Sequence, residues 1–351
     1  MTARHLSLAA AAALAAAVAV LPAGAGSSSH PRVKNVKREI ESLAMDGPIV
    51  AYDLGARYAP GCNAVYTWNV NTNGGSIVSG KGTCGADESS TGGGVTEIGV
   101  AGTRLAWIVN EGGNTESDDD LFTATLPRPK EKHLAFAMRT GDVDQRLDGD
   151  WIGGVSGDGS LLAVSLWTTS GDAVTKAALE TIRPAGLRTV AKGSGTVSAA
   201  SVNGGRIAVL RGDGSVTIYS KNGGLLKTIG AHADEAALDG KQLVVLRSRQ
   251  LAVYNAASGA LVHTWSIPRN AEGLDAEGGI AAFTIQCRIV DQCGGRTYVT
   301  RLADGKTVLL ARPGHDLVGL AIEPAGLVYA ISVAKSKLVF YTFKQVQAAL
   351  G

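Results

Sequence analysis

Seven acidic side chains recur along this chain at intervals that suit one shared role. Glu41, Glu97, Asp144, Asp234, Glu235, Glu272 and Asp316 each stand near the start of a short apolar run. If those runs are strands set about an axis, the carboxylates gather on one face. Converging carboxylates attract a hard cation, calcium or another divalent ion, or a basic partner. The plainer reading is that a strand entering from solvent begins with a charged residue. His232 and His315 are followed by Asp234 and Asp316. A histidine oriented by a carboxylate is the arrangement of a general base. No serine or cysteine stands beside either in a nucleophile elbow, so both are read as turn histidines and no catalytic residue is assigned. The run Ser117-Asp-Asp-Asp120 is an acidic insertion without the spaced ligands of a calcium loop. It reads as solvated. The glycine runs Gly92–Gly94 and Gly153-Gly154 precede no helix and offer no phosphate cradle.

The elements that must position these residues repeat. Val202-Asn-Gly-Gly-Arg-Ile-Ala-Val-Leu-Arg211, followed by Val216-Thr-Ile-Tyr219, returns as Leu238-Asp-Gly-Lys-Gln-Leu-Val-Val-Leu-Arg247, followed by Leu251-Ala-Val-Tyr254. The offset of about 36 residues marks stacked supersecondary units. Each unit reads as four short strands joined by glycine-containing turns, which is one blade of a β-propeller. Units begin near Glu39, Val95, Asp144, Val197, Asp234, Ala271 and His315. The fold class is therefore all-β, a single propeller of seven four-stranded blades, with six as the alternative. Runs such as Arg206-Ile-Ala-Val-Leu210 are nearly continuous in apolar residues, as strands covered on both faces must be. Asp158-Gly159 and Asp213-Gly214 are hairpin turn signals. The last unit lacks a fourth strand, and Val33–Val36 is expected to supply it and close the ring. Gln345–Leu350 is expected to form a short helix.

With these residues in view, the chain resembles the bacterial propellers of the WD-repeat, YVTN-type and quinoprotein-like superfamily. The resemblance is one of pattern and covers nearly all of the chain after its leader. Gln250 to Trp265, with Ser258-Gly259 and Trp265, is similar to the quinoprotein-type repeat, and Gly314-His315 and Gly230-Ala-His232 to the WD-repeat start. Tyr219-Ser220 and Tyr254-Asn255 stand where a WD repeat closes with Trp-Asp, so no functional residue is carried over.

The ends and the composition bound the rest. Residues 1–25 read as a secretory leader: Arg4, an alanine-rich apolar run from Leu6 to Leu21, then Ala23-Gly-Ala25. Residues 26–38 are a linker or the closing strand, and 39–351 the propeller. Cleavage leaves no transmembrane anchor. The chain holds 33 basic and 31 acidic side chains, which argues against a nucleic-acid partner. Cys62 with Cys84, and Cys287 with Cys293, are expected to be local disulfides in an oxidising compartment. The functional expectation is a monomeric, non-catalytic scaffold, secreted or extracytoplasmic (periplasm or cell surface), that binds a protein or cell-surface ligand. No cofactor is expected beyond a divalent cation. The alternative is an enzyme (hydrolase, lyase or quinone-type oxidoreductase) with its site at the mouth of the central channel.

Overall fold

A computed structural model describes residues 30–54, 64–79, 93–112, 115–141, 148–171, 173–193, 197–285, 295–313, 315, 317–331 and 336–351. The leader, the four cysteines, Asp144 and Asp316 lie outside these described residues. Among the described residues, no helix is long and apolar enough to cross a membrane.

After β1 (Arg32–Asn35), the strands come in sets of four, antiparallel and paired in chain order. The first set is β2 (Leu43–Asp46), β3 (Ile49–Leu54), β4 (Ala64–Asn69) and β5 (Gly75–Ile77). The second is β6 (Gly93–Ala101), β7 (Arg104–Gly112), β8 (Glu116–Thr125) and β9 (Lys132–Thr140). The third is β10 (Asp148–Asp158), β11 (Leu161–Ser170), β12 (Ala173–Arg183) and β13 (Gly186–Gly193). These two sets form one eight-stranded sheet, because Arg139 of β9 pairs with Gly149 of β10. Then follow β14 (Val197–Asn203), β15 (Arg206–Arg211), β16 (Val216–Ser220) and β17 (Leu225–Ile229). The fifth set is β18 (Glu235–Asp239), β19 (Gln242–Arg247), β20 (Gln250–Asn255) and β21 (Leu261–Ser266). The sixth is β22 (Ala271–Glu277), β23 (Ile280–Ile285), β24 (Arg296–Arg301) and β25 (Thr307–Ala311). The last sheet takes β26 (Leu317–Glu323), β27 (Gly326–Ile331) and β28 (Lys337–Thr342) from the chain's end, and β1 from its start. Val33 pairs with Val339, and the Val36 amide continues the ladder to the Ser336 carbonyl at 2.8 Å. Among the described residues no sheet closes on itself.

The core lies between successive sheets. Along β19, Val244 and Leu246 pack toward Phe283 of the next unit, while Leu243 and Val245 pack toward Val216 and Ile218 of the previous one. This two-sided burial explains why the second strand of each unit is apolar along its length. Val328, Ala330 and Phe340 of the last unit pack in the same way on Met45, Val50 and Trp68 of the first. Trp68, Trp107, Phe283 and Phe340 are fully buried, each contributing roughly 1.5–3 kcal/mol or more through removal of apolar surface from water. The chain ends in α1 (Phe343–Leu350), started by a capping box in which Thr342 and Gln345 exchange side-chain bonds.

The acidic run at Ser117–Asp120 departs from the expected solvated loop: it lies inside β8, paired on both sides. Alternation explains it. Ser117 and Asp119 are buried, and Arg139 reaches Asp119 at 2.5 Å and Ser117 at 2.9 Å. The Arg139 guanidinium also lies 3.9 Å from the centre of the Trp151 ring.

Candidate functional site

The first strands of the units, β2, β6, β10, β14, β18, β22 and β26, lie against one another in chain order, and β26 lies against β2. Each ends in a two-residue hairpin. The residues that close these hairpins are Asp46, Ala101, Asp158, Asn203, Asp239, Glu277 and Glu323. Five of the seven are carboxylates. In six turns the next residue is a glycine with φ between 53° and 60°, a conformation in which a Cβ is strained. The seventh turn has Pro324 there.

Most of these turn residues clasp the following unit. Asp158 accepts from the Gly204 amide at 2.8 Å, and Asn203 from Gly240 at 3.0 Å. Asp239 accepts from Gly278 at 3.0 Å and Gly279 at 2.7 Å, and Asp46 takes the Gly102 amide. The pattern fails at the last unit for a covalent reason: Pro324 has no N–H to offer Glu277. Glu277 instead accepts from the Asn203 side chain, two units away, at 3.0 Å. The Glu323 carboxyl has no hydrogen-bond partner among the described residues.

These side chains crowd together. One oxygen each of Asp46, Asp158 and Glu323, from three different units, lie within 4.8 Å of one another. Burial pushes the Glu323 carboxyl up to about 10, helped by Asp275, Asp46, Asp158 and Glu277. Burial, with Asp46, raises Asp158, and burial, with Asp239, raises Glu277. Asp275, two residues before Glu277, is pushed up to about 7 by burial, although it accepts the Ile322 amide at 2.9 Å. No described basic side chain pairs with any of them. Asp275 and Glu323 border a cavity of about 160 Å³ that is also lined by Ser156, Ser201 and Leu43. It runs between the first strands, and the carboxylates stand at its turn end.

The acids singled out from the sequence sit toward the opposite ends of these strands and do other work. Glu97 accepts from the Val155 amide at 2.7 Å, and Glu235 from Gly273 at 3.0 Å and Leu274 at 2.6 Å. Both receiving strands are bulged there, which frees these amides from their own ladder. Glu41 and Glu272 are exposed. Asp234 accepts from the Ser248 amide at 2.8 Å, while His232 is exposed in a left-handed turn with φ 49°. No hydrogen bond joins the two. His315 is exposed, and its carbonyl accepts the Gly295 amide at 2.8 Å.

No family model and no curated protein matches the sequence. Solved structures do match the fold. Sqt1 of Saccharomyces cerevisiae superposes with a TM-score of 0.50 at 10% identity, over 90% of this chain and 99% of that one. An acylaminoacyl peptidase of Pyrococcus horikoshii superposes with a TM-score of 0.55 at 12% identity, over 86% of this chain and 51% of that one. The chain thus spans about half the length of the peptidase. The fold is a β-propeller. In such a fold four-stranded sets correspond to blades and first strands to inner strands, and the carboxylate cluster stands at the turn end of those first strands.

Proposed function

We propose that this chain is an exported, seven-bladed propeller, closed by β1 in the last blade, that acts as a non-catalytic binding scaffold. Its binding face is the turn face, and its ligand is a protein or cell-surface molecule that brings a cationic group to the acidic mouth. The observation that supports this most is Glu323. It is a carboxyl set among Asp46, Asp158, Asp275 and Glu277, with no hydrogen bond and no ion pair to a basic side chain among the described residues. A lysine or arginine from a partner would neutralise the cluster and gain charge-assisted hydrogen bonds. Exposed loops on a rigid repeat scaffold are where propellers of many functions bind.

The convergence of three oxygens within 4.8 Å also favours a second reading, a divalent cation such as calcium held by Asp46, Asp158 and Glu323. Calorimetric titration with a lysine- and arginine-rich peptide, and separately with calcium chloride, tests both. Saturable peptide binding that weakens at higher salt, and drops at least tenfold in the Asp158→Asn/Glu323→Gln variant, is the expected result. Calcium heat that vanishes in the same variant would move the assignment to the metal. If neither titrant distinguishes the variant from the parent, the mouth is not the site.

A further inference from the structure

A second cleft lies away from the inner strands, between β9 and the face of the third four-stranded set. It encloses about 400 Å³, within the range of small-molecule sites. Strand register fixes what lines it. Asp150, Thr168 and Lys176 are cross-strand neighbours on β10, β11 and β12, so their side chains share one face. The next row on that face is Ile152, Leu166, Ala178 and Lys192. Leu166 and Ala178 form an apolar floor, and β9 supplies Phe136 and Ala137 as the wall. Phe136 is 53% exposed, a large aromatic side chain left in water beside the cleft.

The charges are arranged unevenly over this floor. Lys176 and Lys192 are exposed at diagonal positions of adjacent strands, and no described carboxylate pairs with either. Asp150, the acid in the cleft, has its Oδ1 engaged by the Thr168 hydroxyl at 2.6 Å. Two ammonium groups on one face repel each other, and a single anion between them relieves that repulsion. A bare inorganic anion would leave Leu166, Ala178 and Phe136 in water. We propose that this cleft binds a small amphiphilic anion, an apolar chain or ring bearing one carboxylate or sulfonate, with its body on the Leu166–Ala178 floor and its head between Lys176 and Lys192. The site is independent of the acidic mouth.

The test uses two probes on the chain from Gly26 to its end. 8-Anilinonaphthalene-1-sulfonate reports by fluorescence, and decanoate, kept below micellar concentration, competes with it. One saturable site with displacement by decanoate is expected, and decanol, the uncharged analogue, should compete at least tenfold more weakly. The Lys176→Glu/Lys192→Glu variant changes only exposed residues, so it should keep the parent's thermal midpoint while binding at least tenfold more weakly. Equal binding by parent and variant would overturn the proposal, as would equal competition by decanol or the absence of a saturable site. Binding confined to phosphatidylglycerol vesicles, without monomeric decanoate, would overturn it in favour of a membrane surface.

Discussion

Replacing Glu323 with glutamine should stabilise the protein, and by an amount that grows with pH. The carboxyl has an ordinary value of 4.5 and is pushed up to about 10 in the fold. At pH 7 the folded protein therefore holds a proton that the unfolded chain has released. A group raised on folding favours the native state most below its unfolded pKa, and that advantage drains away as pH rises from 4.5 toward 10. Each pH unit in that window is worth about 1.4 kcal/mol, so at pH 7 the ceiling is about 3 kcal/mol. Glu323 is half-buried at the mouth of the channel, and water there screens part of the effect, leaving about 1–2 kcal/mol. Glutamine keeps the size of the side chain and removes the titration. Urea unfolding, followed by tryptophan fluorescence in the presence of a chelator at pH 5, 7 and 9, measures the difference. The gain should be small at pH 5, about 1–2 kcal/mol at pH 7, and larger at pH 9. A gain of the same size at all three, or a loss, would refute the account of Glu323 as a proton held by a crowded mouth.

Three further outcomes follow from the packing. Asp239→Ala strands the Gly278 and Gly279 amides of the next blade and should cost about 1–3 kcal/mol in urea unfolding. Asp239→Asn, which keeps one acceptor, should cost less. Asp119→Ala leaves the buried Arg139 guanidinium without its 2.5 Å partner and should cost about 3–5 kcal/mol. The Asp119→Ala/Arg139→Ala pair should cost less than the two single changes together, which a double-mutant cycle reads directly. A chain starting at Glu39 lacks β1 and bares the β28 edge, so it should melt at a lower temperature and associate at high concentration. A monomer with the melting temperature of the chain starting at Gly26 would remove the case for β1 as the closing strand.

Local chemistry was legible in the sequence; partners far apart in the chain were not. The turn glycines punctuate the repeat because six of the seven two-residue hairpins open on a left-handed residue, and that requirement is written at one position. The β1–β28 pairing was legible because the last unit, counted strand by strand, ends one short. The acids were harder. Those at strand starts, such as Glu97 and Glu235, bind amides that β-bulges in the next blade release, and a bulge has no reliable single-residue signal. Asp46, Asp158 and Asp239 each precede a glycine, and of the three only Asp158-Gly159 stood out, as a hairpin turn signal. Their role shows only when the units are aligned on the turn glycine, which brings Asp, Ala, Asp, Asn, Asp, Glu and Glu into one column. The buried Asp119 read as solvated because its partner, Arg139, lies one strand and 20 residues away.

That column joins stability to function. A carboxylate at the end of an inner strand has two outlets, the amide of the next turn or the water and ligands of the channel mouth. Where the next turn begins with glycine, Asp158 and Asp239 take the amide and bind blade to blade. Where it begins with Pro324, no amide exists, and Glu277 reaches instead across the mouth to Asn203. Glu323, on the proline-bearing turn itself, finds no donor at all among the described residues. Pro324 therefore accounts for the lost staple at Glu277, while Glu323, whose next turn begins with Gly47, is left without one in the crowd of Asp46, Asp158 and Asp275. The cost is a carboxyl held away from its ordinary ionisation, and unsatisfied groups of that kind concentrate where a fold binds something. The acidic mouth is thus the place where the repeat departs from its own rule, at Glu277 because Pro324 has no N–H and at Glu323 because its carboxyl stays among the other acids.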